Sequence, residues 1–302
     1  MRERLLCVVG LGLQLTAASL HVTQRSWWLL SNSAAPAHEH VELCRTCCPE
    51  LTSRVWSMPV ALEVPGADAR RTFQFGDTTK VHLRELSFED GGLGARVWDG
   101  GVALSIWLAS HADVVRGRRV LELGAGVGLA GLTAGVLGAE SVVLSDVSVE
   151  SSGLRRGAQT RLIENLERNI QLNSLERAEA IALDWSACSK GSVSPQDAMG
   201  GTFDVILGSE LCYHEYVVPD LVATITKLLA PGGVAHILNA QGRPGGERLL
   251  ELLCEENGEL EFEEWSVTTP DGKAATAHDS ILTNLEPHTT KMLMSTFRNK
   301  CT

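Results

Sequence analysis

The sequence predicts an α/β fold: a Rossmann-like, seven-stranded, mainly parallel sheet with helices on both faces and a C-terminal antiparallel hairpin. Three observations support this prediction. Short apolar segments alternate with segments of helical periodicity from residue 102 to residue 238, as in a parallel sheet covered by helices. A glycine-rich loop at 122–128 closes the first strand of this alternation, and the carboxylate of Asp146 ends the next strand.

The composition indicates one domain-sized core with an acidic surface. A chain of 302 residues with 44% apolar side chains can bury one substantial core. The formal charge of −11 repels phosphate backbones, so we expect no nucleic acid as a general ligand and favour a basic or small-molecule substrate. The 8 cysteines are irregularly spaced in a chain too long to need disulfides, which predicts reduced thiols.

Residues 1–58 are predicted to be an N-terminal extension, a targeting or disordered segment, and residues 59–302 an ordered domain. The apolar stretch 5–20 resembles a signal or anchor, but it is short for a membrane span, so no stable span is expected. We expect a cytoplasmic location, with organellar or secretory targeting by residues 1–30 as the alternative. Cys44 and Cys47 form a CxxC pair, but no second pair completes a zinc site, so no metal is expected.

The periodicity predicts the elements of this domain in chain order. Alternating apolar and polar residues at 72–75 and 80–86 predict a first hairpin. Five strands are predicted, at 119–123, 141–145, 178–183, 203–207 and 234–238. Five helices are predicted, at 102–111, 129–137, 161–173, 218–229 and 247–255. The closing hairpin is predicted from 260–267 and 292–297, and loops from the polar segments 190–201 and 268–287.

The glycine loop is the predicted cofactor site. Gly124, Gly126 and Gly128 follow an apolar strand and precede a helix, so the backbone can turn sharply and approach a ligand without obstruction by Cβ atoms. Asp146 ends the next strand, where its carboxylate can accept hydrogen bonds from both hydroxyls of a ribose. Its alternative role is a helix N-cap. Trp185 follows the strand predicted at 178–183, where its indole can stack on an adenine.

A dinucleotide site is the rival interpretation, because residues 126–131 also match the pattern G-x-G-x-x-G. That pattern requires its first glycine at the end of the strand, which is Gly124, and Leu129 then stands where the third glycine should be. Glu122 adds a carboxylate near the loop that suits a ligand with positive charge and opposes a pyrophosphate. An NAD-dependent oxidoreductase is therefore kept as the less favoured alternative.

The chain resembles the seven-β-strand methyltransferases of methyltransferase family 16 over about residues 72–300. The segments that carry the resemblance are 96–99, 120–128, 146, 164–173, 184–185 and 208–213. It implies that residues 59–302 form a methyltransferase domain that uses S-adenosyl-L-methionine and modifies a lysine of another protein. The cofactor contacts that it implies are Trp98, Gly124, Ala125, Gly126, Asp146, Trp185 and Ser209.

The family's acidic-x-x-aromatic motif falls on Glu210 and Tyr213, which are the predicted catalytic residues. The acid is usually aspartate in the family and is glutamate here, and the stretch 147–160 is longer than usual. Glu210 is expected to recruit the substrate ammonium and, with the Tyr213 hydroxyl, to orient the neutral amine. An arginine, a histidine or a small molecule remain alternative acceptors, and a non-catalytic binding protein is the third functional class.

Overall fold

The structure, a computed structural model, describes residues 53–56, 60–62, 70–147, 160–191, 194, 199–256, 258–267 and 290–300. The predicted targeting segment and the Cys44–Cys47 pair lie outside the described residues, as do 148–159 and the predicted loop 268–287. The strands are β1 (Ser53–Trp56), β2 (Val60–Leu62), β3 (Arg70–Phe75), β4 (Thr79–Arg84), β5 (Arg119–Leu123), β6 (Ser141–Asp146), β7 (Ala178–Ala182), β8 (Phe203–Ser209), β9 (Leu229–Ala240), β10 (Gly258–Val267) and β11 (Thr290–Asn299). The helices are α1 (Phe88–Gly91), α2 (Asp99–Ser110), α3 (Leu129–Val136), α4 (Thr160–Leu172), α5 (Trp185–Ser189), α6 (Val218–Leu228) and α7 (Gly246–Glu255).

The main sheet confirms the predicted architecture. Its strand order is β1-β10-β11-β9-β8-β5-β6-β7, in which β5 to β9 pair in parallel and β10, β11 and β9 pair antiparallel. The seven predicted strands are β5 to β11. Strand β1 is an addition that pairs in parallel with β10 and falls within the predicted extension. The domain boundary at residue 58 stays a prediction.

The order of the strands creates a crevice beside β5. The chain runs from β5 outward to β6 and β7, and then returns to form β8 on the other side of β5. Open α/β sheets bind ligands at such a switch point, at the carboxyl ends of the strands. The glycine loop after β5 and the segment after β8 therefore meet at one edge of the sheet.

Helices cover both faces of the sheet, as predicted. Neighbouring residues of β5 point to opposite faces, so Val120 belongs to one buried cluster and Leu121 to the other. The first cluster includes side chains of α2, α3 and α4, and the second includes side chains of α6 and α7. Because both faces are buried, the strands are almost continuously apolar.

The predicted first hairpin is confirmed as β3 and β4, to which β2 adds a third strand. Its edge strand β4 pairs with asparagine side chains of α4 instead of a fourth strand. The amide of Asn169 accepts from Arg84 N at 2.7 Å and donates to Arg84 O at 3.1 Å. One turn later Asn173 forms the same two bonds with His82, at 2.8 and 2.6 Å. The four-residue spacing of Asn169 and Asn173 lets their side chains form hydrogen bonds with the backbone groups of an exposed strand edge.

Three boundaries differ from the predicted ones for local reasons. Helix α2 begins at Asp99 rather than 102, because its glycines pack closely against β8. Strand β9 begins at Leu229, and a bulge opposite the start of β8 accommodates residues 230–233. Trp185 opens the short helix α5, because Asp184 Oδ1 accepts a bond from Ser186 N at 2.8 Å and caps it.

Asn169→Ala is expected to destabilise the fold by about 2–4 kcal/mol, because it leaves the part-buried Arg84 N and the buried Val127 O without partners. Asn173→Ala is the matched control, and we expect it to cost about 1 kcal/mol because water can reach His82. Urea denaturation of the two variants measures the difference. Equal losses in the free energy of unfolding of the two variants would contradict the larger contribution expected of Asn169.

Candidate functional site

The glycine loop after β5 is held by hydrogen bonds to the neighbouring strand. Gly124 and Gly126 have φ angles of 58° and 57°, a left-handed conformation that favours glycine. Ala125 N donates to Ser145 O at 2.9 Å. A Cβ atom on Gly126 would lie 3.2 Å from Gly94 O, so the backbone of the 3₁₀ turn Gly92–Ala95 closely covers the loop. The loop is thus fixed in shape by backbone contacts on two sides.

Asp146 lies at the end of β6 against this loop. Its Oδ2 accepts from Gly126 N and its Oδ1 from Val147 N, both at 2.7 Å. Burial raises the pKa of this carboxyl above its ordinary value, although both hydrogen bonds oppose the shift. Each oxygen of a carboxylate has a second acceptor position. Asp146 therefore fixes the loop and keeps the acceptor capacity that two ribose hydroxyls require.

The two predicted tryptophans lie near the loop. Trp185 Cζ2 lies 3.6 Å from the position that a Cβ on Gly124 would take, which is an ordinary van der Waals distance. Trp98 Nε1 donates to Leu93 O at 2.7 Å, which ties this indole to the turn that covers Gly126. The structure therefore brings both indoles to the predicted cofactor loop.

Glu122 is the predicted cofactor residue that the structure places inside the protein. It is 2% exposed, and its Oε2 accepts from Gly131 N at 2.8 Å in the first turn of α3. Gly128, the N-cap residue of α3, has no side chain to bond these amides, and Glu122 provides the missing acceptor. Burial raises the pKa of Glu122 to about 8. The residue stabilises α3 beneath the loop, and a direct cofactor contact stays a prediction.

Ser209 and Glu210 end β8 at the other side of the crevice. Glu210 N continues the ladder to Leu238 O at 2.8 Å, but its φ of 58° is left-handed, which is uncommon for a residue with a side chain. The turn directs the side chain to the start of α2, where a Cβ on Gly100 would lie 2.7 Å from Glu210 Cγ. Ser209 Oγ lies 3.7 Å from the Cβ position of Gly101. The glycines of α2 make room for the predicted motif.

Glu210 is not a free carboxylate in the structure. Its Oε2 accepts from Arg243 Nε, its Oε1 accepts from Ala240 N at 3.1 Å, and its side chain is 8% exposed. Burial raises the pKa of Glu210 above its ordinary value, and Arg243 opposes that rise. Sequence reasoning did not identify Arg243, because it follows β9 by three residues in a segment without periodicity.

Asp99 is a second site residue that sequence reasoning did not assign, although it belongs to the segment 96–99. Its Oδ1 is buried without a hydrogen-bond partner among the described residues. The pKa of Asp99 is raised to about 7, mostly by burial and also by the nearby Glu210 carboxylate, while Arg243 opposes the rise. Two carboxylates and one guanidinium therefore share the space between α2, β8 and the segment after β9.

Tyr213 is half-exposed, at 39%, at the mouth of the crevice. Burial and the nearby Asp146 carboxylate raise the pKa of its hydroxyl, which keeps it protonated near neutral pH. Its ring contacts His214 edge-on, and His214 stacks on the 75%-exposed Tyr216. Asn239 Oδ1 accepts from Cys212 N at 3.2 Å and so orients the motif from β9. Tyr213 is the motif residue that faces solvent.

A separate cavity of about 300 Å³ lies between β4, α1 and α4, and none of the predicted site residues lines it. Its lining residues are Arg84, Leu86, Asp90, Arg161, Glu164 and Arg168. Within the described residues, no group of three or more His, Cys, Asp or Glu side chains could hold a metal ion. No helix in the described part of the chain combines the length and apolarity needed to cross a bilayer.

Comparison with known proteins agrees with this geometry. The model of a family described as lysine methyltransferase matches residues 77–248, which is more than half of the chain. The protein-lysine N-methyltransferase EFM3 of Chaetomium thermophilum is 32% identical over 160 residues, 51% of this chain and 44% of the relative. The protein N-lysine methyltransferase METTL21A of Mus musculus is 34% identical over 163 residues, 54% of this chain and 67% of the relative.

The chain thus spans about half to two thirds of the length of the curated relatives that it matches. Among solved structures, SMU.776 in complex with SAH is similar with a TM-score of 0.50 and 10% identity, over 77% of this chain and 57% of that chain. At that identity the similarity concerns the fold alone. It agrees with the Rossmann-like architecture of the main sheet.

Glu122→Gln is expected to change how stability depends on pH. The pKa of Glu122 is 4.5 in its ordinary state and about 8 when folded, so the folded protein holds an extra proton between these values. The free energy of unfolding therefore falls as pH rises through this window, by at most about 1.4 kcal/mol per unit. Urea denaturation from pH 5 to 8 should give a flatter profile for the variant. Parallel profiles would mean that Glu122 is not protonated in the fold.

Proposed function

This chain belongs to the lysine methyltransferase family, and on that premise we propose that it transfers a methyl group from S-adenosyl-L-methionine to the ε-amine of a lysine in another protein. The observation that supports this most is the joint position of the glycine loop and Glu210 at the carboxyl ends of adjacent strands β5 and β8. A donor and an acceptor bound on either side of one crevice can be aligned for transfer.

The residues around the loop suit S-adenosyl-L-methionine better than a dinucleotide. Asp146 has acceptor capacity for ribose hydroxyls, and Trp185 offers a flat apolar surface beside Gly124. The Asp146 carboxylate beside the loop disfavours a pyrophosphate and favours a sulfonium. We propose Trp98, Ala125, Gly126 and Ser209 as further contacts.

The acceptor must lose a proton before it can be methylated, because a protonated amine has no free electron pair. The cofactor, when bound, supplies an activated methyl group. Burial beside Glu210 lowers the pKa of the entering lysine, while the carboxylate alone would raise it. In the absence of substrate Arg243 offsets the charge of Glu210, and Glu210 can accept a hydrogen bond from the amine once the amine is neutral. Tyr213, at the mouth, can donate or accept a hydrogen bond there.

The substrate and the compartment are parts of the same proposal. The two relatives are named for protein-lysine methylation, which favours a protein substrate over a small molecule. We further propose a cytoplasmic location. The free thiols Cys188, Cys212 and Cys254 are consistent with a reducing compartment.

Asp146→Asn in the full-length protein should weaken S-adenosyl-L-methionine binding about 10- to 100-fold, the cost of losing hydrogen bonds to a charged acceptor. Asp204→Asn is the matched control, because Asp204 bonds Arg119 N at the opposite edge of the sheet. Isothermal titration calorimetry with S-adenosyl-L-methionine and with NAD measures both affinities. Binding of NAD alone would support the oxidoreductase instead.

Glu210→Gln should lower the rate of methyl transfer about 100-fold while cofactor affinity is retained, because a misplaced acceptor reacts slowly. The assay incubates the full-length protein with labelled S-adenosyl-L-methionine and a cell extract, and then identifies the labelled amino acid after acid hydrolysis. Glu261→Gln, on the exposed side of β10, is the control for charge removal.

Label on arginine or histidine would replace lysine as the proposed acceptor. Cofactor binding with no protein labelled in any extract would favour a non-catalytic binding protein. An unchanged rate in Glu210→Gln would remove that residue from the catalytic set.

A further inference from the structure

Among the described residues, the acceptor end of the crevice contains two carboxyl groups, Asp99 and Glu210, and one guanidinium, Arg243. Glu210 is paired with Arg243 and with Ala240 N, which uses both of its oxygens. Asp99, at the first position of α2, interacts electrostatically with both Glu210 and Arg243. Helix α2 and Glu210 are in direct contact at Gly100. The three charged groups therefore form one cluster, built from three separate elements.

Asp99 lacks the partner that a buried carboxylate normally has. Its Oδ1 is inaccessible to solvent and accepts no hydrogen bond from the described residues. A buried acceptor left in this state costs about 1–3 kcal/mol. Such a cost is expected where a ligand supplies the missing donor. An ammonium group carries three donors and can bond two carboxylates at once.

We infer that Asp99 is a further acceptor-binding residue, that Asp99 and Glu210 together bind the cationic side chain of the substrate, and that Arg243 occupies this anionic site until the substrate displaces it. This inference rests on the proposed function for the identity of the cation as a lysine ammonium. It adds Asp99 to the proposed acceptor site, and it adds the replacement of Arg243 by the ammonium of the substrate.

Arg243 is suited to leave the site. Its side chain is 32% exposed, whereas that of Glu210 is 8% exposed, so the guanidinium can move into solvent without opening the core. It follows Gly242, whose φ of 83° lies in the left-handed region that favours glycine. The buried thiol of Cys212 also lies near Glu210 and Arg243, and it stays neutral because burial raises its pKa to about 12. Exchange of Arg243 for an ammonium conserves the charge of the cluster.

The exchange also makes the site selective for cationic acceptors. A neutral group of the same size cannot replace the charge of Arg243, and its entry would leave Asp99 and Glu210 uncompensated. Removal of Arg243 should therefore strengthen binding of an ammonium and leave binding of a neutral isostere unchanged. The gain should depend on Asp99, because both carboxylates, Asp99 and Glu210, bind the ammonium.

The test titrates n-butylammonium, a mimic of the lysine side chain, into the full-length protein and follows chemical shifts by NMR. We expect Arg243→Met to bind it about 10-fold more tightly than wild type, because the competing cation is gone. Arg248→Met is the matched control, since Arg248 pairs with the exposed Glu251 on α7. The double variant Asp99→Asn with Arg243→Met should lose most of the gain. n-Butanol should bind all variants equally.

Equal affinity of wild type and Arg243→Met for n-butylammonium would overturn the inference, and so would a gain that Asp99→Asn leaves intact. Arg243→Gln, another neutral variant, repeats the test if the methionine variant fails to fold by circular dichroism. Cofactor calorimetry on the same wild-type sample separates the two hypotheses. Absent S-adenosyl-L-methionine binding refutes the proposed function, whereas the amine titration judges the cation site by itself.

Discussion

The conformation of the glycine loop is the constraint on which the rest of the site depends. Three side chains from three elements hold it: Asp146 accepts from Gly126 N, Asn169 donates to Val127 O, and Glu122 accepts from Gly131 N. The same asparagine binds the edge of β4. The small sheet, α4 and the loop therefore form one hydrogen-bonded unit. A loop with left-handed glycines would otherwise lose its shape to conformational entropy.

This constraint is built from carboxyl groups that are costly to bury. The pKa values of Glu122, Asp146, Asp99 and Glu210 are all raised by burial, and all four lie along the carboxyl edge of the central strands. Burial favours the neutral form of each acid, and those that remain ionised attract cations and repel phosphates. Both partners in the proposed reaction, a sulfonium and an ammonium, carry positive charge. One arrangement of acids serves the donor side and the acceptor side of the crevice.

Much of the fold could be predicted because its signals are local in the chain. The alternation of apolar strands and periodic helices depends on neighbours a few residues apart, and it predicted all seven strands from β5 to β11. One shifted boundary involves a contact between distant residues, and another depends on a neighbouring residue. Helix α2 begins earlier because Gly100 lies against Glu210, and Trp185 enters a helix because Asp184 caps it.

The sequence by itself determined the sheet and the glycine loop, since spacing along one strand or turn defines both, and the family resemblance predicted the motif at Glu210 and Tyr213. Only the tertiary structure decided which charged groups lie beside Glu210. Asp99 and Arg243 lie 111 and 33 residues from it in the chain, and no periodicity connects positions so far apart. Their charges interact because parallel strands bring α2, β8 and the end of β9 to one edge. Burial, which sets the pKa of each acid, exists only after that packing has formed.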